Sequence, residues 1–142
     1  MGWNDFNQFK SHKKTTVVAI CDVDSQRLAR ASKDVPDART YTDWRELLAA
    51  EGDKIDSVNV TVPDHMHFSI AMTAIQAGKH VYCQKPLTHT VWEARQMALQ
   101  ATKSKVITRM GNQIHSHTHY RTAVRAVQAG KIGKIKRVHS WV

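Results

Sequence analysis

Long apolar stretches are absent from this chain of 142 residues, and no run approaches the roughly 18 residues of a membrane-spanning helix. The first five residues show no basic segment followed by an apolar one, so we expect no signal peptide there. Cysteine is also scarce, because Cys21 and Cys83 are the only two, which fits a reducing compartment better than a disulfide framework. We therefore expect a cytoplasmic protein without a membrane anchor, with an export signal encoded upstream as the open alternative.

Aromatic residues make up only 7% of the chain, whereas basic residues outnumber acidic ones and give a net charge of +9. The excess lies near the two ends, since residues 15–130 carry a net charge of only +3. A basic surface can bind nucleic acid through phosphate contacts, but no nucleic-acid-binding motif accompanies this charge. We expect no specific nucleic-acid partner and interpret the charge as a solvated surface or a site for a polyanionic ligand.

The sequence does contain a regular alternation of apolar strand-like runs and helical patterns. We predict strands over residues 16–21, 38–41, 57–62, 79–83, 105–110 and 135–142, and helices over residues 3–13, 25–33, 43–51, 67–77, from 90 onward and 116–129. Glycine at positions 52, 78 and 130 is expected to end three of these helices. The rhythm predicts an α/β fold with an open parallel sheet, right-handed crossovers and flanking helices.

Local signals support the predicted helix starts. Asp43 with Glu46, and Thr90 with Glu93, have the spacing of a capping box, in which two side chains satisfy backbone N–H groups reciprocally. The helix near residue 25 can be capped by Asp24 or by the serine that follows it. In an open parallel sheet, ligands bind beyond the carboxyl ends of the strands, so the polar residues after each strand are the candidate site.

A glycine-rich G-x-G-x-x-G turn, which would hold a pyrophosphate at a helix N-terminus, is missing. The sequence begins inside or just before its first helix, where Gly2 alone is no fingerprint. At the other end, residues 135–142 alternate like a strand but have no later strand with which to pair. We interpret both ends as cut.

Five motifs occur in order: residues 19–24 (AICDVD), 61–67 (TVPDHMH), 77–87 (AGKHVYCQKPL), 110–113 (MGNQ) and 130–135 (GKIGKI). With these motifs the chain resembles the Gfo/Idh/MocA family of NAD(P)-dependent oxidoreductases, of the glucose–fructose oxidoreductase and inositol dehydrogenase type. The resemblance covers residues 3–142 and implies a Rossmann-like domain whose first strand and glycine-rich turn are missing. It implies a partial dinucleotide-binding domain over residues 1–133 and the start of a missing C-terminal substrate and oligomerisation domain over 134–142.

The resemblance implies that Asp22 binds the adenosine ribose of the cofactor. A carboxylate after this strand can accept hydrogen bonds from both ribose hydroxyls and would repel a 2′-phosphate, so NAD is expected rather than NADP. A helix cap or a strand-end turn is the alternative for Asp22. Arg27, which could contact a phosphate, leaves NADP open.

The resemblance also assigns the other end of the cofactor and the substrate. It implies that Thr61, Pro63, His67, Gln84 and Lys85 lie near the cofactor, with capping or packing as the alternative for His67 and a surface position at a turn as the alternative for Lys85. Asn112, at the end of the next strand, could face the same crevice as a cofactor ligand or be a solvated loop residue. Lys85 is the predicted catalytic residue: Pro86 disfavours a helical backbone for its predecessor, and the extended lysine could stabilise a developing alkoxide. The family motif usually reads Glu-Lys-Pro, and Gln84 keeps the size of that glutamate but loses its charge.

The implied reaction is hydride transfer between a carbinol carbon of a sugar or polyol and C4 of the nicotinamide. In the family, a second domain provides the general acid/base histidine and most of the substrate pocket, so we expect negligible turnover by this chain alone. The alternatives are a non-catalytic nucleotide-binding or interaction module and a truncated fragment without activity. Unpaired strand edges lead us to expect self-association. His115, His117 and His119 alternate, but a helix there would not bring them together, so no metal site is predicted.

Overall fold

The computed structural model describes residues 2–141 as a series of α-helices and β-strands. The helices are α1 (Gly2–Ser11), α2 (Ser25–Asp34), α3 (Trp44–Glu51), α4 (Asp64–Gln76), α5 (Val91–Ser104) and α6 (Thr118–Gln128), and the strands are β1 (Ala19–Cys21), β2 (Arg39–Tyr41), β3 (Ser57–Val60), β4 (His80–Gln84) and β5 (Thr108–Gly111). The chain forms two compact units that divide between residues 111 and 112. The first unit contains α1–α5 and all five strands, and the second contains α6. Within residues 2–141, no helix has the length and hydropathy needed to cross a bilayer.

The strands of the first unit form two parallel sheets, one of β1 and β2 and one of β3, β4 and β5. The carbonyl oxygen of Val18 and the N–H of Asp22 form hydrogen bonds with the backbone of β2. Because the backbone polar groups of successive residues face opposite sides of a strand, those of Ala19 and Cys21 face away from β2. On β3 the same alternation leaves the backbone groups of residues 57 and 59 on the side away from β4. These observations confirm the predicted parallel α/β class, with an interruption where a further strand would pair.

Helix α1 contacts helix α2 and strand β4. The guanidinium of Arg30 in α2 lies over the ring of Trp3, 4.1 Å from its centroid. Phe9 packs edge-on against Tyr82 of β4, with the ring centroids 5.7 Å apart. Helix α1 is therefore held both by the helix that follows β1 and by a strand of the second sheet.

The hydrophobic core lies between α4 and strands β3 and β4, with α5 contributing at its edge. Its buried members are Val60, Ile70, Ala71, Ala74, Ile75, Val81, Cys83 and Met97. The alanines let α4 approach the sheet closely, and the β-branched side chains favour the strand conformation. Because residues 60 and 83 are at the carboxyl ends of their strands, the core supports the edge at which the candidate site was predicted.

A buried carboxylate ties β2 to α3. The side chain of Glu51 is only 2% exposed and accepts hydrogen bonds from Arg39 Nη2 at 2.6 Å, Tyr41 Oη at 2.7 Å and Lys54 Nζ at 3.2 Å. The hydrogen bonds from Arg39 and then Tyr41 lower the pKa of Glu51 to about 2 from its ordinary 4.5, against the opposing effect of burial. A buried charge is tolerated here because three donors satisfy it.

Several helix ends agree with the sequence predictions. Thr90 and Glu93 form a complete capping box at the start of α5, and Asp24 caps α2 by accepting from the N–H groups of Gln26 and Arg27. Gly78 and Gly130 follow α4 and α6 with positive φ values of 74° and 73°, where glycine is favoured. Asp43 caps α3 through the Arg45 N–H at 2.8 Å, not through the predicted box with Glu46.

Several predictions about element bounds were wrong, and strands β1 and β5 each begin three residues later than predicted. Helix α4 begins at Asp64, three residues before the predicted start, because Pro63 takes the N-cap position and an acidic first turn complements the helix dipole. Residues 135–141 form no strand, although their alternation predicted one, and residue 142 lies outside the described residues. Alternation alone is insufficient, since a strand requires a hydrogen-bonded neighbour and this segment has none among residues 2–141.

Candidate functional site

The carboxyl ends of β3 and β4 bring two predicted site residues together. Val60 pairs with Cys83 in the parallel register, so Thr61 and Gln84 leave adjacent strands at the same edge. Both side chains donate to one carboxylate: Asp5 Oδ2 accepts from Thr61 Oγ1 at 2.9 Å and from Gln84 Nε2 at 2.6 Å. The first turn of α1 is thereby fixed to the strand ends.

The side chain of Gln84 is held tightly from the opposite side. It is 5% exposed, and it pairs in register with Gly111 of β5. A Cβ built on Gly111 would lie 2.7 Å from the carbon, nitrogen and oxygen atoms of the Gln84 amide, so a larger residue at this position would require the amide to shift. The Gln84 Oε1 atom is buried and has no hydrogen-bond partner within the described part of the chain.

Lys85 follows Gln84 at the end of β4, and its side chain is exposed. The peptide bond between Lys85 and Pro86 is cis. Helix α4 holds Pro86, because the Pro86 carbonyl oxygen lies 2.6 Å from Nδ1 of His67. Since a carbonyl oxygen accepts, Nδ1 must carry the proton. The residues on both sides of Lys85 are therefore fixed by side chains from two different helices, while the lysine itself projects outward.

His67 and Pro63 have different environments, although both were predicted near the cofactor. His67 is 1% exposed, and its Nε2 atom is buried without a partner among the described residues. His67 is therefore packed in the interior, in agreement with the alternative given for it. Its role as a cofactor ligand stays a prediction. Pro63 is exposed at the N-cap of α4, directly after the loop that Thr61 begins.

Asp22 is at the carboxyl end of β1 and is partly buried. Its Oδ1 atom accepts from the backbone N–H of Asp24 at 2.9 Å, which makes a strand-end turn. Helix capping is carried out by Asp24 instead, and Asp24 also pairs with Arg27 at 3.2 Å. Asp22 is thus not the helix cap.

Two further predictions concern the second unit. Asn112 is its first residue, directly after the end of β5, and its role as a cofactor ligand stays a prediction. His117 is the N-cap residue of α6, and His115 stacks on Tyr120 with ring centroids 5.2 Å apart. Within residues 2–141 no group of three or more His, Cys, Asp or Glu side chains is placed to hold a metal ion.

Both cysteines are unreactive in character. Burial raises the pKa of Cys83 to about 12, and burial together with the nearby carboxylates of Asp43 and Asp22 raises the pKa of Cys21 to about 11. Neither thiol is a nucleophile near neutral pH. An open apolar cavity of about 220 Å³ lies between α5 and strands β4 and β5, but it is lined by core residues such as Ile75 and Met97 and not by the strand-end polar groups.

Parallel strands with flanking helices, and polar side chains gathered at the carboxyl ends of those strands, define the class of nucleotide-binding α/β domains. Residues 1–112 match the family model described as "Oxidoreductase family, NAD-binding Rossmann fold". The chain therefore belongs to the Gfo/Idh/MocA family, and the predicted family, fold class and NAD-binding domain are confirmed.

Similar proteins are considerably longer than this chain. It is 32% identical over 125 residues to inositol 2-dehydrogenase 1 of Saccharopolyspora erythraea, covering 87% of this chain and 36% of that protein. It is 29% identical over 119 residues to 1,5-anhydro-D-fructose reductase of Ensifer adhaerens, covering 83% and 35%. The structure of myo-inositol 2-dehydrogenase from Lactobacillus plantarum superposes with a TM-score of 0.87 at 28% identity, covering 94% of this chain and 40% of that one. The chain spans about one third of the length of these curated relatives.

Two residues at this edge were missed by the sequence analysis, Asp5 and the glycine at position 111. Asp5 was read only as part of a short helix, although an acidic residue in a first helical turn is a usable signal. Gly111 was quoted within a motif, but its role depends on the side chain opposite, which the sequence does not reveal.

Proposed function

We propose that this chain is the nucleotide-binding portion of an NAD-dependent oxidoreductase that acts on a sugar or polyol. The observation that carries the proposal is the convergence of Thr61 and Gln84 on one strand edge, with Lys85 exposed beside them. Ligands of open parallel sheets bind at such an edge. When bound, the nicotinamide ring supplies the hydride acceptor or donor, and the residues of the chain bind and orient it.

The adenosine end of the cofactor would be held at β1. One oxygen of Asp22 is used in the turn with Asp24, and the other is available to a ribose hydroxyl. A carboxylate at this position disfavours the 2′-phosphate of NADP, and the ion pair of Arg27 with Asp24 gives that arginine a partner within its own helix. Both observations support NAD over NADP.

The nicotinamide end would lie at β3 and β4, beside Thr61, Pro63 and Gln84. Lys85 would orient the hydroxyl of the substrate and stabilise negative charge on its oxygen as the hydride leaves. The similarity to an inositol dehydrogenase and an anhydrofructose reductase supports a sugar or polyol substrate. We expect negligible turnover by this chain alone, because the resemblance assigns the acid/base histidine to a second domain.

A titration followed by NMR tests the proposal. On addition of NAD, amide shifts should change at residues 22, 61, 84 and 85, with an affinity of about millimolar or weaker because no glycine-rich turn holds the pyrophosphate. Lys85→Gln should weaken the response, whereas Lys103→Gln, at an exposed position in the last turn of α5, should leave it unchanged. Shift changes confined to other surfaces, or equal effects of the two substitutions, would contradict the proposed site.

The open strand edges favour a second role as an interaction module. The backbone groups of Ala19 and Cys21 on β1, and of Ser57 and Asn59 on β3, face away from their paired neighbours, and such edges promote pairing between molecules. We propose that the chain self-associates through them. Light scattering over a concentration series should show rising mass, and a strictly monodisperse monomer at high concentration would argue against it.

A reducing compartment such as the cytoplasm is supported by the two free thiols.

A further inference from the structure

Asp5, in the first turn of α1, reaches the ends of two strands at once. Its Oδ2 atom is 2.9 Å from Thr61 Oγ1 and 2.6 Å from Gln84 Nε2. These partners are 56 and 79 residues away in the sequence, so only the fold brings them together. A single carboxylate therefore fastens the first helix to two residues of the candidate site.

The amide of Gln84 has one possible orientation. If its oxygen faced Asp5, two acceptors would oppose each other, so the nitrogen must be the atom that donates. On its other side the amide lies close to Gly111, where an added Cβ would come within 2.7 Å of it. The amide thus lies between Asp5 and Gly111.

A glutamate at position 84, as in the usual Glu-Lys-Pro motif, is incompatible with this arrangement. Its carboxylate would occupy the place of the amide, within hydrogen-bond distance of the carboxylate of Asp5. Two carboxylates so close cannot both be ionised, and one of them must retain a proton. The neutral Gln84 is what allows Asp5 to remain a charged acceptor here.

We propose that Asp5 is a positioning residue of this site and that it supplies from α1 the negative charge which the usual motif carries on β4. Asp5 and Gln84 are then a matched pair, and the charge stays beside the strand end that precedes Lys85. The pairing itself is independent of the cofactor, whereas its place in a cofactor site rests on the proposed function.

The charged groups around the pair do not obscure its titration. Tyr82 of β4 faces Asp5, and its pKa is raised, first by burial and then by Asp5, while Arg109 of β5 lowers it. Tyrosine, arginine and lysine keep their protonation state between about pH 4 and 8. A pH effect in that range that depends on both residue 5 and residue 84 therefore reports the pair.

The test compares thermal unfolding of the unaltered chain, Gln84→Glu, Asp5→Asn and the double variant across pH. Near pH 7, Gln84→Glu should lower the Tm by about 4 °C or more. Folded Gln84→Glu retains a proton that the unfolded chain releases, so its stability should recover as the pH falls towards about 4. In the double variant, the amide nitrogen of residue 5 takes the place of Asp5 Oδ2 and can donate both to the new carboxylate and to Thr61 Oγ1, whose own proton can go to Asn59 Oδ1. The Tm should therefore return close to that of the unaltered chain.

Gln26→Glu, at an exposed position in the first turn of α2, controls for the added charge and should show neither effect. Equal stability of Gln84→Glu and the unaltered chain near pH 7 would overturn the pairing. So would a double variant as unstable as Gln84→Glu, including the case in which both fail to fold. If the stabilities follow the expected order but no protein responds to NAD, the pairing stands and the proposed function fails.

Discussion

The Nδ1 atom of His67 lies 2.6 Å from the carbonyl oxygen of Pro86, and this contact joins the first turn of α4 to the segment that carries Lys85. Because a carbonyl can only accept, the proton of the imidazole is on Nδ1. His67 is fully enclosed, so this hydrogen bond is shielded from water. The segment that carries the exposed Lys85 is thus held in place by a buried side chain of α4.

Replacing His67 should weaken the attachment of this segment to α4. His67→Ala leaves the Pro86 carbonyl unpaired and opens a cavity, and we expect a loss of about 2–4 kcal/mol in the free energy of unfolding. His67→Asn places an amide donor near the position of Nδ1 and should recover part of that loss. Urea unfolding measures both, and hydrogen exchange of the amides at residues 87–90 should rise more in the alanine variant. An asparagine variant no better than alanine would show that the hydrogen bond contributes little.

Gly111→Ala should be strongly destabilising, because the new methyl group would lie 2.7 Å from three atoms of the Gln84 amide. Overpacking of this kind costs about 1–3 kcal/mol. Gly52→Ala provides the matched control, since its Cβ would meet nothing within 4 Å and its φ of −49° suits any residue. Chemical unfolding of both variants measures their free energies of unfolding, and equal values would mean that Gln84 can move away from Gly111.

The buried Glu51 should make stability depend on pH in the acid range. Its folded pKa of about 2 is below the ordinary 4.5, so the unfolded chain binds a proton first as the pH falls. The stabilisation is therefore complete above pH 4.5 and is lost progressively between 4.5 and about 2. Glu51→Gln should be less stable than the unaltered chain near neutral pH, and the difference in Tm should shrink across that window. A difference in Tm that is independent of pH would contradict the lowered pKa of Glu51.

The capping box at α5 offers a local test. Thr90 Oγ1 accepts from the N–H of Glu93 at 3.1 Å, and Glu93 Oε2 accepts from the N–H of Thr90 at 3.1 Å. Thr90→Ala removes the first of these bonds and should cost about 1 kcal/mol of stability. Thr90→Ser keeps the hydroxyl and should be nearly neutral in the same thermal unfolding assay. A serine variant as unstable as alanine would point to the lost methyl group instead.

Features that depend on neighbours in sequence were predictable. The caps at Asp24 and Thr90, the glycines after the helices and the order of helices and strands all arise from interactions within a few residues. The motifs around Asp22, Thr61 and Lys85 likewise marked the carboxyl ends of three parallel strands, because strand ends can be read from local patterns. Residues 135–141 mark the limit of such reasoning, since their alternation is local but the pairing of a strand is not.

The sequence by itself determined the α/β class, the family and the strand ends that carry the candidate site, because apolar periodicity and short motifs are encoded locally. Only the tertiary structure decided that Asp5 meets Gln84, that His67 supports Pro86 and that Gly111 lies close to the Gln84 amide. Each of these contacts joins residues from separate elements. Their existence depends on how helices α1 and α4 and strand β5 pack around β4, and that arrangement follows from burial of the whole core rather than from any local pattern.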